Sequence, residues 1–553
     1  MIPLRKYFER SVLGLMSLFT LILLYLPTNS TCNSPDIQPL CIVHSSDVFV
    51  ASLGVWAAAV IYLCWRKDFG FIPVLGFAFV FLDLLLIKVP LPRNEELATQ
   101  YAVAHLLSTG RIPSLAFPVA YESGSWPGVF IFAAIVSSVL GLSPAIVTEL
   151  TRALLPLAAS LGIMLLAKEI VPERYELAAV LAIAGSYGLT DIFQFTPLYF
   201  CIVLSIYMLT QTLRMLDRDR IPVYICAVAL SVALLISHPI PAIVILGVAL
   251  SIILFGKVVV YARITSNAIA LSVLIVVATV AYEFFFANSG FYFQSGLSQL
   301  IQELQTFSLS SADISTITSH VQSSPWWSTL TIFSWAGLTL AGTFVAAWFF
   351  LKSRGSPFVL IAGLVFGVFL IQLLQSAQAG LPLLILTFVS PITLITLVKA
   401  RSIFLIKERR RAKLLTVGKI GLACLLTIGI VTSFLSYNTV YYTQTAQSAD
   451  ISFAKFFDSH GPTVSVFFAT YPSGPAGTNV SFVYGLGDAN STASLIHRFS
   501  LASNAVYYVN WDRTTLADEF SFGLNASQVR AQYNGLGEFD AVFSSYNSTG
   551  YYV

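Results

Sequence analysis

The stretch LPRNEELATQYAVAHLLSTGRIPSLAFPVAYESGSW (91–126), continued by PGVFIFAAIVSSVLGL (127–142), decides how this chain is organised. It follows an apolar run that ends at Pro90, so Glu95 and Glu96 stand where the chain leaves that run. An amphipathic helix then extends to about Ser108, and Gly110 ends it. The run 127–142 comes next and approaches the length needed to cross a bilayer, about 20 residues with a range of 17–25. If it crosses, every later loop changes sides, so its reading sets the topology of all that follows.

Basic residues arbitrate, because cytoplasmic loops are enriched in Lys and Arg. Thirteen other apolar runs read as spans, at 11–27, 48–64, 70–90, 150–168, 176–191, 198–213, 222–237, 239–256, 267–286, 328–351, 357–375, 383–398 and 414–436. With the N-terminus inside (Arg5, Lys6, Arg10), every second junction is basic, ending in the cluster Lys399, Arg401, Lys407, Arg409, Arg410, Arg411 and Lys413. The inside positions then hold 22 of the 30 basic residues. Lys88, Arg93, Arg111 and Arg152 alone remain on the outer face of the membrane part, and Lys455, Arg498, Arg513 and Arg530 lie further along. A crossing at 127–142 would break this pattern, so that run is an apolar helix lying in the outer interface.

Composition agrees. Of 553 residues, 56% are hydrophobic and only 10% charged, against about 25% charged in soluble proteins. A bilayer is the partner that such a surface requires. The net charge of +3 gives no ground for nucleic-acid binding. Cys64, Cys201, Cys226 and Cys424 lie in apolar runs and read as buried small hydrophobes, and no CxxC pair occurs. Cys32 and Cys41 share a polar loop whose external position predicts a disulfide. The sequons at Asn29, Asn479, Asn490, Asn525 and Asn547 all fall on the predicted outside. No small-x-small cleavage site follows the first apolar run, which therefore reads as a retained helix.

The chain divides into a membrane domain, 1–436, with the outer loop 91–149 carrying the interfacial helices, and an extracytoplasmic domain, 437–553. The second part is rich in Ser, Asn, Gly and Tyr. Its runs VSVFFATY, VSFVYGL, AVYYVNW and FDAVFSSY, with a helical stretch near 525–534, predict a small α/β or mostly-β domain.

Ionisable residues in so apolar a domain are costly and point to function. Their order here is patterned: Glu95 just after a span, Ala104, Gly110, then Trp126-Pro127-Gly128 before the interfacial helix, Leu142-Ser143-Pro144, Arg152 at the next span and Asp191 at an outer end. This pattern resembles the GT-C superfamily of membrane glycosyltransferases over residues 80–220, and the remainder by topology. The resemblance implies a polyprenyl-phosphate-sugar donor, a glycan, lipid or protein acceptor, and inversion at the anomeric carbon. It implies Glu95 as the base, with Glu96 able to take its place, and Asp191 assisting. Arg152 with Arg93 or Arg111 would hold the donor phosphate, since a leaving phosphate needs cations beside it. His238, in the outer turn SHPIPA, is a further phosphate or acceptor candidate.

Part of the superfamily uses a divalent metal, but no ligand cluster of recognisable spacing appears. Oligosaccharyltransferase catalytic subunits carry WWDxG in the outer domain; Asn510-Trp511-Asp512-Arg513 lacks it. That departure argues against whole-glycan transfer to Asn and for a monosaccharide transferase, mannosyltransferase-like. The sequons suggest that the protein is itself glycosylated, and the compact form points to an archaeon. Two other readings compete. A transporter or lipid flippase would place charge at the midplane and repeat its halves. A non-catalytic envelope assembly protein would make the acidic loop incidental.

Overall fold

In the computed structural model the described residues are 47–65, 94–112, 126–185, 195–259, 265–287, 326–353, 355–374 and 385–407, with single positions between 11 and 18, the pairs 29–30 and 43–44, and the strands 465–468, 481–483, 505–510, 540–545 and 548–552. The expected spans 70–90 and 414–436, the Cys32–Cys41 pair and the helix near 525–534 lie outside them.

Twelve α-helices are described: α1 Asp47–Trp65, α2 Asn94–Thr109, α3 Gly128–Leu140, α4 Pro144–Ile170, α5 Tyr175–Gly185, α6 Pro197–Asp217, α7 Ile221–Leu235, α8 Pro239–Val259, α9 Ser266–Ala281, α10 Trp326–Ser353, α11 Pro357–Leu374 and α12 Ser390–Lys407. Among them α4, α6 and the continuous segment 266–286 are long and apolar enough to cross a membrane. Local chemistry starts several of them. Ser143, Thr196 and Thr265 precede α4, α6 and α9, and each hydroxyl accepts a backbone N–H of the first turn. Pro144 and Pro197 follow as first helical residues, where a missing N–H costs nothing. The Ser143–Pro144 start moves α4 forward of the expected 150, so Arg152 lies within the helix rather than at its beginning.

The helix α3 has 13 residues. At 1.5 Å per residue it reaches about 20 Å, short of the ~30 Å hydrocarbon core. Val129, Phe130 and Ala133 are buried, while Ile131, Phe132, Ile135, Val139 and Leu140 form an exposed apolar face. On α7, Cys226 is exposed rather than buried, unlike Cys201. It shares its helix with the exposed Ile221, Ile225, Val228 and Val232, so an apolar run here marks a face turned outward from the bundle.

Two helices meet backbone to backbone. A Cβ on Gly247 of α8 would lie 2.6 Å from the Gly363 carbonyl oxygen, and one on Gly367 of α11 would lie 2.8 Å from Val244 Cα. Gly363 and Gly367 form a GxxxG pair, the pattern that lets membrane helices approach closely.

Among the described residues, hydrogen-bonded charged side chains lie at the two ends of the bundle. At the end predicted to be inside, Glu169 accepts from Arg214 Nε at 2.8 Å and from Arg218 at 3.1 Å. There too Asn267 donates to Asp219 at 3.4 Å, and Tyr224 bonds Thr265 at 2.8 Å. At the other end lie the contacts of Trp126, Gly128, Ile236 and Glu283 given below. These pairs join residues expected on the same side. Between the two ends, some buried hydroxyls bond to their own helix, as Ser160 to Pro156 O, Ser205 to Cys201 O and Thr212 to Met208 O, and others join two helices, as Thr343 with Thr393 at 2.9 Å, Ser390 with Gly185 O at 3.2 Å and Tyr207 with Ala158 O at 2.8 Å.

Near the C-terminus, β3 Ser465–Phe468, β4 Ser481–Val483, β5 Ala505–Asn510, β6 Asp540–Ser545 and β7 Ser548–Tyr552 make one sheet in the order β4-β3-β5-β7-β6. β3 is parallel to β4 and β5, and β5, β7 and β6 are antiparallel. Four strands coincide with the expected runs; β7 (STGYY) does not, because Gly550 and its Ser and Thr hide the alternation. A short antiparallel pair, β1 Asn29–Ser30 with β2 Val43–His44, closes the N-terminal loop.

Candidate functional site

The described residues on either side of 113–125 are each anchored. In α2, Glu95 and Glu96 occupy the first turn. The buried face that follows carries Thr99, Gln100, Ala102 and Val103. Gln100 Nε2 donates to Thr148 Oγ1 of α4 at 2.7 Å, with both side chains buried. This bond fastens α2 to the start of α4. Glu96 stands one turn before Gln100, and Arg152, which is partly exposed, one turn after Thr148.

Gly110 ends α2 in the left-handed region, at φ 70°, and its N–H closes on Leu106 O at 2.9 Å. His105 Nδ1 lies 2.9 Å from the Arg111 carbonyl oxygen. That oxygen can only accept, so Nδ1 carries the proton. Arg111 is exposed at this far end. Fourteen helical steps of 1.5 Å put Thr109, the last residue of α2, about 21 Å from Glu95 along the axis, so Glu95 and Arg111 serve different regions.

Trp126-Pro127-Gly128 forms the other anchor. The Trp126 ring is fully buried. Its Nε1–H points to Glu283 Oε1 at 3.4 Å. Gly128 N–H donates to Ile236 O at 2.8 Å. A Cβ on Gly128 would meet Ser237 Oγ, with Ile236 Cγ1 at 2.8 Å, so the third position of this element admits only glycine without a shift.

Ser237 and His238 follow in that turn, both buried. His238 Nδ1 accepts the Ile240 N–H at 3.2 Å, which leaves the proton of a neutral ring on Nε2. Glu283 is buried in a π-helical turn, Tyr282–Phe286, that continues α9. Such turns recur at functional sites.

Phe132 of α3 packs on Phe200 of α6 at 5.1 Å, and Phe195 stands edge-on to Phe200 at 6.0 Å. The α6 entrance, just beyond Asp191, is thereby held beside α3.

The structure therefore brings α2, α3, the start of α4 and the 236–239 turn to one end of the bundle. Glu95 and Glu96 are described by their place in α2, Arg111, Arg152 and His238 as above, and Asp191 and Arg93 lie outside the described residues. Among the sequons Asn29 lies in β1, and Asn479, Asn490, Asn525 and Asn547 lie outside the described residues. No group of three metal-ligating side chains converges among the described residues. Sequence reasoning missed the Gln100–Thr148 bond, which no local pattern announces. It also missed the pairing of Trp126 with Glu283 across 157 positions.

No family model matches the chain, and no curated protein sequence does. Solved structures do match. The apo oligosaccharyltransferase of Archaeoglobus fulgidus aligns with a TM-score of 0.51 at 11% identity, covering 88% of this chain and 72% of that one. The fold is that of the GT-C membrane glycosyltransferases. At this identity the GT-C likeness is one of fold. Two further structures align less closely. They are Archaeoglobus fulgidus AglB with an inhibitory peptide and a dolichol-phosphate (TM-score 0.47, 12% identity, 91% and 74% covered) and Cupriavidus metallidurans ArnT bound to undecaprenyl phosphate (0.48, 13%, 87% and 97%).

Proposed function

We propose that this GT-C protein is a membrane glycosyltransferase that moves a sugar from a polyprenyl-phosphate-linked donor to a glycan, lipid or protein acceptor on the outer face of the membrane. The observation that carries the reading is the fastening of α2, which begins with Glu95 and Glu96, onto the start of α4, one turn from Arg152. Acids and a cation carried by two fastened helices suit this chemistry. A Glu carboxylate takes the acceptor hydroxyl proton as the oxygen attacks the anomeric carbon. The bond to phosphate breaks, and Arg152, with Arg93, meets the charge that develops on the leaving oxygen. The distance between Glu95 and Arg111 favours Arg93 and Arg152 over Arg111 for that task. Asp191 assists in placing the acceptor. Inversion follows from a single displacement. The domain from 437 to 553 hangs on the same outer side, with the N-terminus inside.

A transporter needs polar groups presented along a path. Among the described residues, the buried charged or imidazole side chains are His238 and Glu283, both at the outer rim. This favours the enzyme.

The test is transfer by the purified chain from a panel of polyprenyl-phosphate sugars, with Glu95→Gln and Glu96→Gln alongside. Transfer that survives both substitutions removes these acids from the reaction, and no transfer from any donor removes the transferase.

A further inference from the structure

Trp126 ends the outer segment that begins at Glu95, and Glu283 begins the approach to the next long outer segment, 287–325. Their bond ties two otherwise separate parts of the outer surface. Both partners are held. Trp126 is fully buried, and two residues later the Gly128 N–H is pinned to Ile236 O at 2.8 Å. Glu283 sits in a π turn that closes with the Ala287 N–H on Tyr282 O at 2.8 Å.

The chemistry of the pair is asymmetric. An indole N–H can only donate and a carboxylate oxygen can only accept. A glutamine Oε1 also accepts, more weakly than a carboxylate, but avoids the cost of burying a charge. The acceptor oxygen is what the tie needs.

We propose that Glu283 is a positioning residue. By holding Trp126 against α9 it fixes the start of α3, which packs on α2, as the Gln100–Thr148 bond fixes α2 on α4, and so sets where the α2 acids meet the acceptor. The activity part of this role rests on the transferase reading above; the tie itself does not.

Two measurements on the full chain separate the two. The first is amide hydrogen exchange over 94–112. Glu283→Ala and Trp126→Phe raise it, the double substitution raises it no further, and Glu283→Gln leaves it near the wild type. The second is kinetics. Glu283→Ala and Trp126→Phe lower kcat about 10²-fold, the scale of an ångström-sized misplacement, while KM for the donor stays within about threefold. Glu283→Gln restores kcat.

Exchange unchanged in both Glu283→Ala and Trp126→Phe overturns the proposal. So does a Glu283→Gln enzyme as slow as Glu283→Ala, because the charge would then act in the chemistry itself. Should Glu283→Ala fail to accumulate, Trp126→Phe and Glu283→Gln still decide. The expected exchange pattern in a protein with no transfer activity upholds the tie and removes the transferase reading alone.

Discussion

Gly363 offers a sharp test of the α8–α11 seam. A methyl added there would lie 3.0 Å from Val248 N and 3.1 Å from Gly247 O, with Val248 Cα closer still. These are backbone atoms of a helix and cannot swing aside, so α8 and α11 must part. Overpacking of this kind costs about 1–3 kcal/mol. Replacing a helical glycine by alanine also gains up to about 1 kcal/mol in helix propensity. Gly337 of α10 isolates that gain, because nothing lies within 4 Å of its added Cβ. Gly363→Ala is therefore expected to be less stable than Gly337→Ala by about 1–3 kcal/mol, read from unfolding of the purified protein in mixed micelles. Gly247→Ala should behave like Gly363→Ala. The consequence extends to the site, because α8 starts directly after His238 and the preceding Ile236 carbonyl holds Gly128. Gly363→Ala equal to or more stable than Gly337→Ala would refute the close approach.

Three other outcomes are expected. Gln100→Ala should cost about 1–3 kcal/mol for a buried hydrogen bond and raise amide exchange across α2 before any other helix. Glu169→Gln should cost at most about 1 kcal/mol, an effect that shrinks in high salt, because Arg214 and Arg218 are 28% and 51% exposed; unfolding midpoints at two ionic strengths check it. A membrane-permeant maleimide should modify the exposed Cys226 and spare the buried Cys201 in the native state, as read by peptide mass mapping.

The reading of the membrane architecture came from one rule, basic residues inside, which acts on every loop at once. It assigned Trp126, Ile236 and Glu283 to one side long before any contact joined them. The interfacial reading of 127–142 rests on the count of basic residues, since α7, read as a span, has 15 residues against 13 for α3. Boundaries were less legible: α4 starts at Pro144 because a serine cap and a proline act more locally than hydropathy. Burial on α7 was misjudged at Cys226, since an apolar run does not tell which face meets protein and which meets lipid. The candidate acids came from the order of motifs. The bonds that hold their segment, Gln100–Thr148 and Trp126–Glu283, were not legible, because each joins common residues across long separations that only the packed helices bring together.

The location of the buried charge carries an electrical consequence. Among the described residues no charged or imidazole group is buried between the rims, so that part of the bundle is an insulating layer across which a membrane potential would fall. A unit charge crossing that layer would feel about 2.3 kcal/mol per 100 mV. Chemistry at the outer rim moves its protons and phosphate charge outside the drop, so the proposed transfer is expected to run at the same rate in polarised and depolarised vesicles.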